Sequence, residues 1–273
     1  MPELAEVEFC RRKWHQTLPF KIEEVITSDT SRVYRDCAPE TVKEALTGAT
    51  LTDSFRHGKQ IFFQTDRQQW LNIHLGMTGF LSIKSDATLT EWKKRDALVL
   101  QGTSGWLHFD DFRMFGKVDL FPQKPTFPTP DPTSDAYDLP TFETLAQRYA
   151  KKQIKAFLLD QVCCPGFGNW MADEVMWQAG ISPTRKVGQC DLEKLFKTIK
   201  WVAVQSIHYV ADGAGTPMST YKKKHAESWG APPEGWLFQA RWKKDLTCPK
   251  CDAILSRETF AGRTTSFCAQ CQS

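Results

Sequence analysis

Pro2 and Glu3 are the first residues in the chain whose types could do chemistry. Removal of Met1, which a small second residue favours, would leave Pro2 as a free secondary amine. An α-amino group titrates near ~8 against ~10.4 for lysine, so roughly a few hundred times more of it is nucleophilic at neutral pH. Such an amine can attack the sugar carbon of a nucleoside and form an imine without a buried lysine. Glu3 and Glu6 lie within one helical turn of it and could move the protons that the reaction requires. Taken alone, Pro-Glu is also an ordinary helix start, because Pro tolerates the first turn and Glu suits the positive end of the dipole.

The C-terminus carries a stronger signal. Cys248-Pro-Lys-Cys251 and Cys268-Ala-Gln-Cys271 are separated by sixteen residues. Thiolates three positions apart fit one tight turn, and two such turns at the ends of a hairpin complete a tetrahedron around zinc. Four protein ligands leave no open position, so the pattern predicts one structural Zn2+ per chain.

Three further groups could bind an anion or enter a duplex. Pro165-Gly-Phe-Gly-Asn169-Trp-Met-Ala-Asp-Glu174 opens a helix, whose free N–H groups are expected to face a phosphate, with Lys155 one helix earlier adding charge. Arg56-His57-Gly58-Lys59 forms a basic turn before a strand, and His74 follows on the next, so Lys59 and His74 could both hold phosphates. Asp110-Asp-Phe-Arg113-Met-Phe115-Gly116 sets a cation and an aromatic at a loop tip, as a wedge would need. Each also has a plain structural reading: a helical corner, a solvated turn, a core aromatic.

The elements that must position these residues can be read from periodicity. Leu4, Val7, Cys10 and Trp14 predict an amphipathic helix over 3–17. From Ile22 to Phe121 the texture is β, with runs at 60–63, 70–74, 79–83, 97–100 and 106–109 and a turn at 101–105, which suggests a sandwich or barrel. Residues 121–140 hold six of the fifteen prolines and read as a semi-rigid linker. Helices are predicted at 141–149, 152–162, 169–179 and 191–210. The expected domains are therefore a sandwich over 1–121, a linker over 122–140, a helical domain over 141–240 and a metal-bound hairpin over 241–273.

Composition bounds the function. The 273 residues are 41% hydrophobic and 25% charged, which excludes a disordered or collagen-like chain. No apolar run approaches the roughly 18 residues of a membrane span, and the acidic N-terminus does not look like an export signal, so the expected compartment is the cytoplasm. Net charge is only +3, but residues 141–273 hold 18 basic against 12 acidic side chains, a balance that permits a polyanionic partner. Nine cysteines, an odd number, argue against a disulfide framework.

Taken together, these motifs resemble the formamidopyrimidine/endonuclease VIII family of DNA glycosylase-lyases over nearly the whole chain. The likeness rests on Met-Pro-Glu-Leu-x-Glu-Val-Glu, His-Gly-Lys59, His74-Leu-Gly-Met-Thr-Gly79, Asp-Phe-Arg-Met-Phe-Gly116, Gly-Phe-Gly-Asn169-Trp-Met-Ala-Asp-Glu174 and the finger ending Cys271-Gln272. It implies an α+β multidomain fold: an N-terminal helix with a β-sandwich, a helix–two-turn–helix domain, and a C-terminal four-cysteine zinc-finger β-hairpin. It implies that Pro2 forms the Schiff base, Glu3 is the acid/base and Glu6 supports the amine. Lys59, Asn169 and Arg263 would grip phosphates, with His74 and Lys155 as further candidates. Met77, Arg113 and Phe115 would fill the gap left by an everted nucleotide, and the backbone would be cut by β- and δ-elimination.

The implied partner is double-stranded DNA with a damaged base or an abasic site, met by a monomer acting in the cytoplasm, at the nucleoid in a bacterium. Pro-Glu-Leu and the Met of His-Leu-Gly-Met favour the formamidopyrimidine branch, which removes oxidised purines such as 8-oxoguanine. An oxidised-pyrimidine glycosylase and a non-catalytic damaged-DNA-binding protein are the alternatives. The chain departs from the family at Ala5, at Met114, at Arg241-Trp-Lys243 where Tyr-Gly-Arg is common, and over 213–240. Cys163-Cys164 is expected to be packing, Lys222-Lys-Lys224 a solvated basic loop, and Trp229 and Trp236 possible platforms for a base.

Overall fold

The computed structural model describes residues 1–28, 32–84, 96–217, 229–241 and 246–273. Two compact units emerge: Met1–Pro2 with Glu6–Phe127, and Glu3–Ala5 with Pro128–Ser273.

Among the described residues, the first unit is built on eight strands: β1 (Phe20–Thr27), β2 (Thr50–His57), β3 (Gln60–Thr65), β4 (Trp70–His74), β5 (Phe80–Lys84), β6 (Asp96–Gly102), β7 (Gly105–Asp110) and β8 (Lys117–Phe121). Their order is β5-β7-β6-β1-β2-β3-β4-β8, with every pairing antiparallel. β1 joins the two halves: Phe20 and Lys21 pair with β2, and Ile22 to Thr27 pair with β6 across a register shift. The β3 residues Ile61, Phe62 and Phe63 are all buried, so that strand is covered on both faces. Helix α1 (Leu4–His15) covers one face, with the Trp14 ring 5.2 Å from Phe63 and its Nε1–H donating to the Ser82 carbonyl at 3.2 Å. On the other face Phe62 meets Phe55, Phe121 and Phe127.

A further helix, α2 (Pro39–Leu46), lies in the stretch whose dominant texture is β. Its signals are present but short: Pro39 occupies the first turn, and the buried pair Val42 and Leu46 are four residues apart.

The second unit is helical, with α3 (Leu139–Arg148), α4 (Ile154–Leu159), α5 (Asn169–Ala179), α6 (Leu192–Val210) and the single turn α7 (Leu237–Ala240). Asp138 caps α3 and Asp191 caps α6, each carboxylate accepting from the N–H three residues on. α4 is shorter than the 152–162 expected, because Asp160 takes an extended backbone and ends it. One core runs through Phe142, Phe157, Trp170, Val175 and Val202, and it includes Cys163 and Cys164, both fully buried.

The proline-rich stretch 122–140 is divided between the units, 122–127 belonging to the first and 128–140 to the second. Phe127 stacks on His57 with ring centroids 3.6 Å apart, whereas Tyr137 is fully buried in the helical core and α3 already begins at Leu139. Aromatic residues pack down a segment whose prolines suggested a semi-rigid linker. Two short strands, β9 (Thr216–Pro217) and β10 (Gly230–Ala231), pair with each other. The chain ends in the hairpin β11 (Ser256–Phe260) and β12 (Arg263–Phe267), turned by Ala261 and Gly262, both at positive φ.

Candidate active site

In the helical unit, the first residues of the chain meet the Gly-Phe-Gly-Asn169 turn. Glu3 is 3% exposed, and its carboxylate accepts from the N–H groups of Gly168 (2.8 Å), Trp170 (3.0 Å) and Met171 (3.1 Å). The Leu4 N–H donates to the Gly166 carbonyl at 3.0 Å. Both glycines are needed. Gly166 has φ +89° and lies against Leu4, and a Cβ on Gly168 would stand 2.4 Å from the Glu3 carboxyl carbon. The helix terminus expected to cradle a phosphate is therefore already satisfied. Its anion is the chain's own carboxylate, which gains from the free donors and the dipole as a phosphate would.

Asn169 reaches elsewhere. Its Nδ2 donates to the Thr264 carbonyl at 2.8 Å, tying the start of α5 to the finger hairpin one residue from Arg263. Arg263 itself is exposed beside the hairpin turn. Glu3, Asn169 and the Arg263 strand are thus brought together within one unit.

Lys155 needs correcting. It is fully buried, its ammonium paired with Asp173 and donating to the Asn169 carbonyl at 3.1 Å, so it cannot meet a phosphate. Asp173 also accepts from Arg241 at 2.6 Å and from the Ser266 N–H at 3.3 Å. Sequence reasoning missed this hub, although the noted departure at Arg241 was its only signal. Beside it, burial pushes the Glu174 carboxyl up to about 7, against hydrogen bonds from the Gln178 side chain and the Phe238 N–H.

Trp229 and Trp236, considered as base platforms, are 3% and 6% exposed, and Trp236 is stacked on Trp201 with centroids 5.2 Å apart. They are core residues. Lys222-Lys-Lys224, Trp242 and Lys243 lie outside the described residues.

The four cysteines of the finger have their Sγ atoms within 4.8 Å of one another. Cys248 and Cys271 are 3.8 Å apart, and Cys251 and Cys268 are 3.5 Å apart. Tetrahedral zinc at about 2.3 Å from each sulfur requires S–S edges of about 3.8 Å, so this donor set fits a structural zinc ion. Trp177 Nε1–H donates to the Cys248 sulfur at 3.3 Å, and Gln272 links the Cys268 N–H to the Ile181 carbonyl. Among the described residues, the buried cluster here is Trp177, Leu237, Cys248 and Cys268, too little to hold the hairpin without a metal.

The sheet unit carries the other candidates. Pro2 and Glu6 are buried at the start of α1. Lys59 sits in the two-residue turn between β2 and β3, where His57 pairs with Gln60. Gln60 pairs in turn with His74, and His74 with Lys117. Burial, then the charges of Lys59 and Arg35, push His74 down to about 4. At neutral pH it is an uncharged ring whose Nδ1 accepts from the Gly76 N–H at 3.1 Å. His74 can therefore offer a phosphate one N–H and no positive charge.

The wedge candidates occupy two interlocked turns. A Cβ on Gly76 would lie 2.4 Å from Gly116 N, so the backbones touch. Asp111 is fully buried and accepts from Thr78 Oγ1 and from the Gly116 N–H, both at 2.6 Å. Met77 on the first turn is 38% exposed and Phe115 on the second is 44% exposed, with the Arg113 guanidinium 4.6 Å above the Phe115 ring.

The chain matches three family models: the N-terminal domain of formamidopyrimidine-DNA glycosylase over residues 1–118, the H2TH domain of the same enzyme over 129–217, and the zinc finger found in FPG and IleRS over 245–273. Among similar proteins are the formamidopyrimidine-DNA glycosylases of Xanthomonas axonopodis pv. citri, 31% identical with both chains fully covered, and of Arabidopsis thaliana, 31% identical over all of this chain and 71% of that one. A crystal structure of a point variant of Lactococcus lactis FPG, bound to DNA containing Fapy-dG, superposes with a TM-score of 0.85 at 28% identity, covering 99% of each chain. The wild-type Lactococcus lactis protein bound to DNA containing an oxidised pyrimidine gives 0.82 at 28% identity over 99% of each.

Proposed function

The chain belongs to the formamidopyrimidine-DNA glycosylase family of base-excision repair enzymes, and from that premise we propose that it excises oxidised purines and then cuts the strand as an abasic-site lyase. Pro2, freed by loss of Met1, attacks the sugar C1′. Its nitrogen lone pair forms the C–N bond as the glycosidic bond breaks, and the base leaves with the electron pair and takes up a proton. The C1′–O4′ bond then breaks as the nitrogen lone pair forms the iminium and O4′ takes up a proton. The iminium acidifies the C2′ proton, whose loss expels the 3′ phosphate by β-elimination, and a second, δ-elimination releases the 5′ phosphate. Glu3 shuttles the protons and Glu6 supports the amine.

Lys59, His74, Asn169 and Arg263 hold the flanking phosphates, His74 as a neutral donor. Met77, Arg113 and Phe115 fill the space left by the everted nucleotide. Zinc, held by Cys248, Cys251, Cys268 and Cys271, keeps the Arg263 hairpin folded.

One observation carries this reading: the Glu3 carboxylate is clamped by three backbone N–H groups at the start of α5, so the residue bonded to Pro2 has a fixed place. A flexible N-terminus would surrender the advantage that orientation gives a nucleophile. An oxidised-pyrimidine substrate is the second reading, favoured by the relative crystallised on such DNA. The enzyme is expected to act as a monomer in the cytoplasm, at the nucleoid in a bacterial host. Thiolate ligands suit that reducing compartment, and among the described residues no helix is long and apolar enough to cross a membrane.

The test is borohydride trapping on duplexes carrying 8-oxoguanine, a formamidopyrimidine, thymine glycol or an abasic site, with the adduct mapped by mass spectrometry. A cross-link at Pro2, strongest with the purine lesions, is expected. Strongest trapping on thymine glycol would select the second reading. Damaged DNA bound without any cross-link, by protein of intact mass retaining Met1, would show a binding protein instead.

A further inference from the structure

The turn carrying Arg113 and Phe115 holds another aromatic, Phe112, to which the reading above gives no task. Phe112 is 81% exposed, the highest value for a large apolar side chain among the described residues. Its neighbours account for that exposure. Asp111 before it is buried and bonded to Thr78 and Gly116, and Arg113 after it donates its N–H to Thr78 Oγ1 at 3.2 Å. Met114, at φ +54°, holds a left-handed conformation unfavourable for a side chain, and its N–H closes the turn on the Asp111 carbonyl at 3.1 Å. The backbone is thus fixed on both sides of Phe112, and the ring is left in solvent.

Phe115 differs, because its ring already lies under the Arg113 guanidinium. Arg35 adds a second guanidinium at the same place, donating to the Phe115 carbonyl at 3.4 Å. A rigid tip with an open aromatic face and two cations beside it matches a nucleic acid, which offers flat apolar bases and phosphates within the same few ångströms. An apolar protein surface would strip water from both guanidiniums and give them nothing in return.

We propose that Phe112 is a second wedge, which stacks on a base of the kinked duplex beside the gap that Phe115 enters. The inference rests on the glycosylase reading and adds to it a specificity-determining contact. Two aromatic blades would stabilise the unstacked step on both of its sides, so the lesion duplex gains more than the undamaged one.

The test uses the full zinc-loaded protein and a duplex with a reduced abasic-site analogue, with 2-aminopurine in the opposite strand next to it. Anisotropy gives affinity, and fluorescence reports unstacking. Phe112→Ala should weaken binding to this duplex about tenfold, equivalent to about 1.4 kcal/mol, and suppress the fluorescence rise. Its affinity for undamaged DNA should change less than about twofold, and Phe112→Trp should restore both signals. Because the ring is exposed, Tm should not move. Wild-type behaviour from Phe112→Ala, alongside loss in Phe115→Ala, would overturn the second wedge and leave the enzyme reading intact. Failure of the unaltered protein to bind the abasic duplex would overturn both.

Discussion

The tip at 110–116 and the start of α5 use buried polar groups to opposite ends. At the tip, the Asp111 carboxylate is spent on backbone and a hydroxyl, and the side chains it frees, Met77, Phe112 and Phe115, stand in solvent. At α5 the charges turn inward: Glu3 on N–H groups, Lys155 and Arg241 on Asp173. A charged residue in a recognisable motif is therefore no guide to which way it faces. Lys155 and Arg113 both look like DNA contacts in the sequence, and only Arg113 is exposed to make one.

Zinc removal should give the largest effect, because it strikes the α5 side alone. Chelation is expected to unfold the hairpin and abolish strand cutting, a loss above about a hundredfold, while tryptophan fluorescence and circular dichroism show the sheet unit intact. Loss of both units together would mean the two regions are not energetically separate. Next is Asp173→Asn, which leaves two buried cations without their counter-ion and should cost about 3–5 kcal/mol in urea unfolding. The corresponding change at the tip, Asp111→Asn, sets an amide against the Gly116 N–H and should cost about 1–3 kcal/mol. It should weaken damaged-DNA binding by more than that loss of stability explains. Equal penalties at the two sites would remove the distinction between inward and outward architecture.

The smallest effect is in pH dependence, where the regions again oppose one another. His74 is depressed to about 4, so the stability it confers is present above about 6.5 and is lost as pH falls toward 4. Glu174 is raised to about 7, so its contribution is present below about 4.5 and is lost as pH rises through 7. The slopes cancel in part between those limits. His74→Gln should therefore reveal a protein that loses stability steadily from pH 4.5 to 7, and Glu174→Gln one that gains it. Parallel stability curves for the two variants would contradict the opposed shifts.

The sequence makes some of this plain. The zinc ligands are set by spacing alone, and the strands from 60 to 110 are bounded by turn residues that leave little choice. What escapes is pairing over long distances. Nothing local says that Glu3 will take the donors at 168–171, so an open anion site is the natural reading of that turn. Nor does an isolated Lys155 disclose that Asp173 waits one helix away. The helix α2 escapes for another reason: eight residues offer only two buried positions, too few for a period to stand out in a β-rich stretch.

The clamp on Glu3 joins residues 165 positions apart in the chain. During synthesis the N-terminal carboxylate leaves the ribosome early and stays hydrated until the segment beyond Met171 has followed it out. The buried clamp can therefore close only when most of the polypeptide has been made, and a chain cut short before residue 168 leaves the Glu3 carboxylate without these three donors.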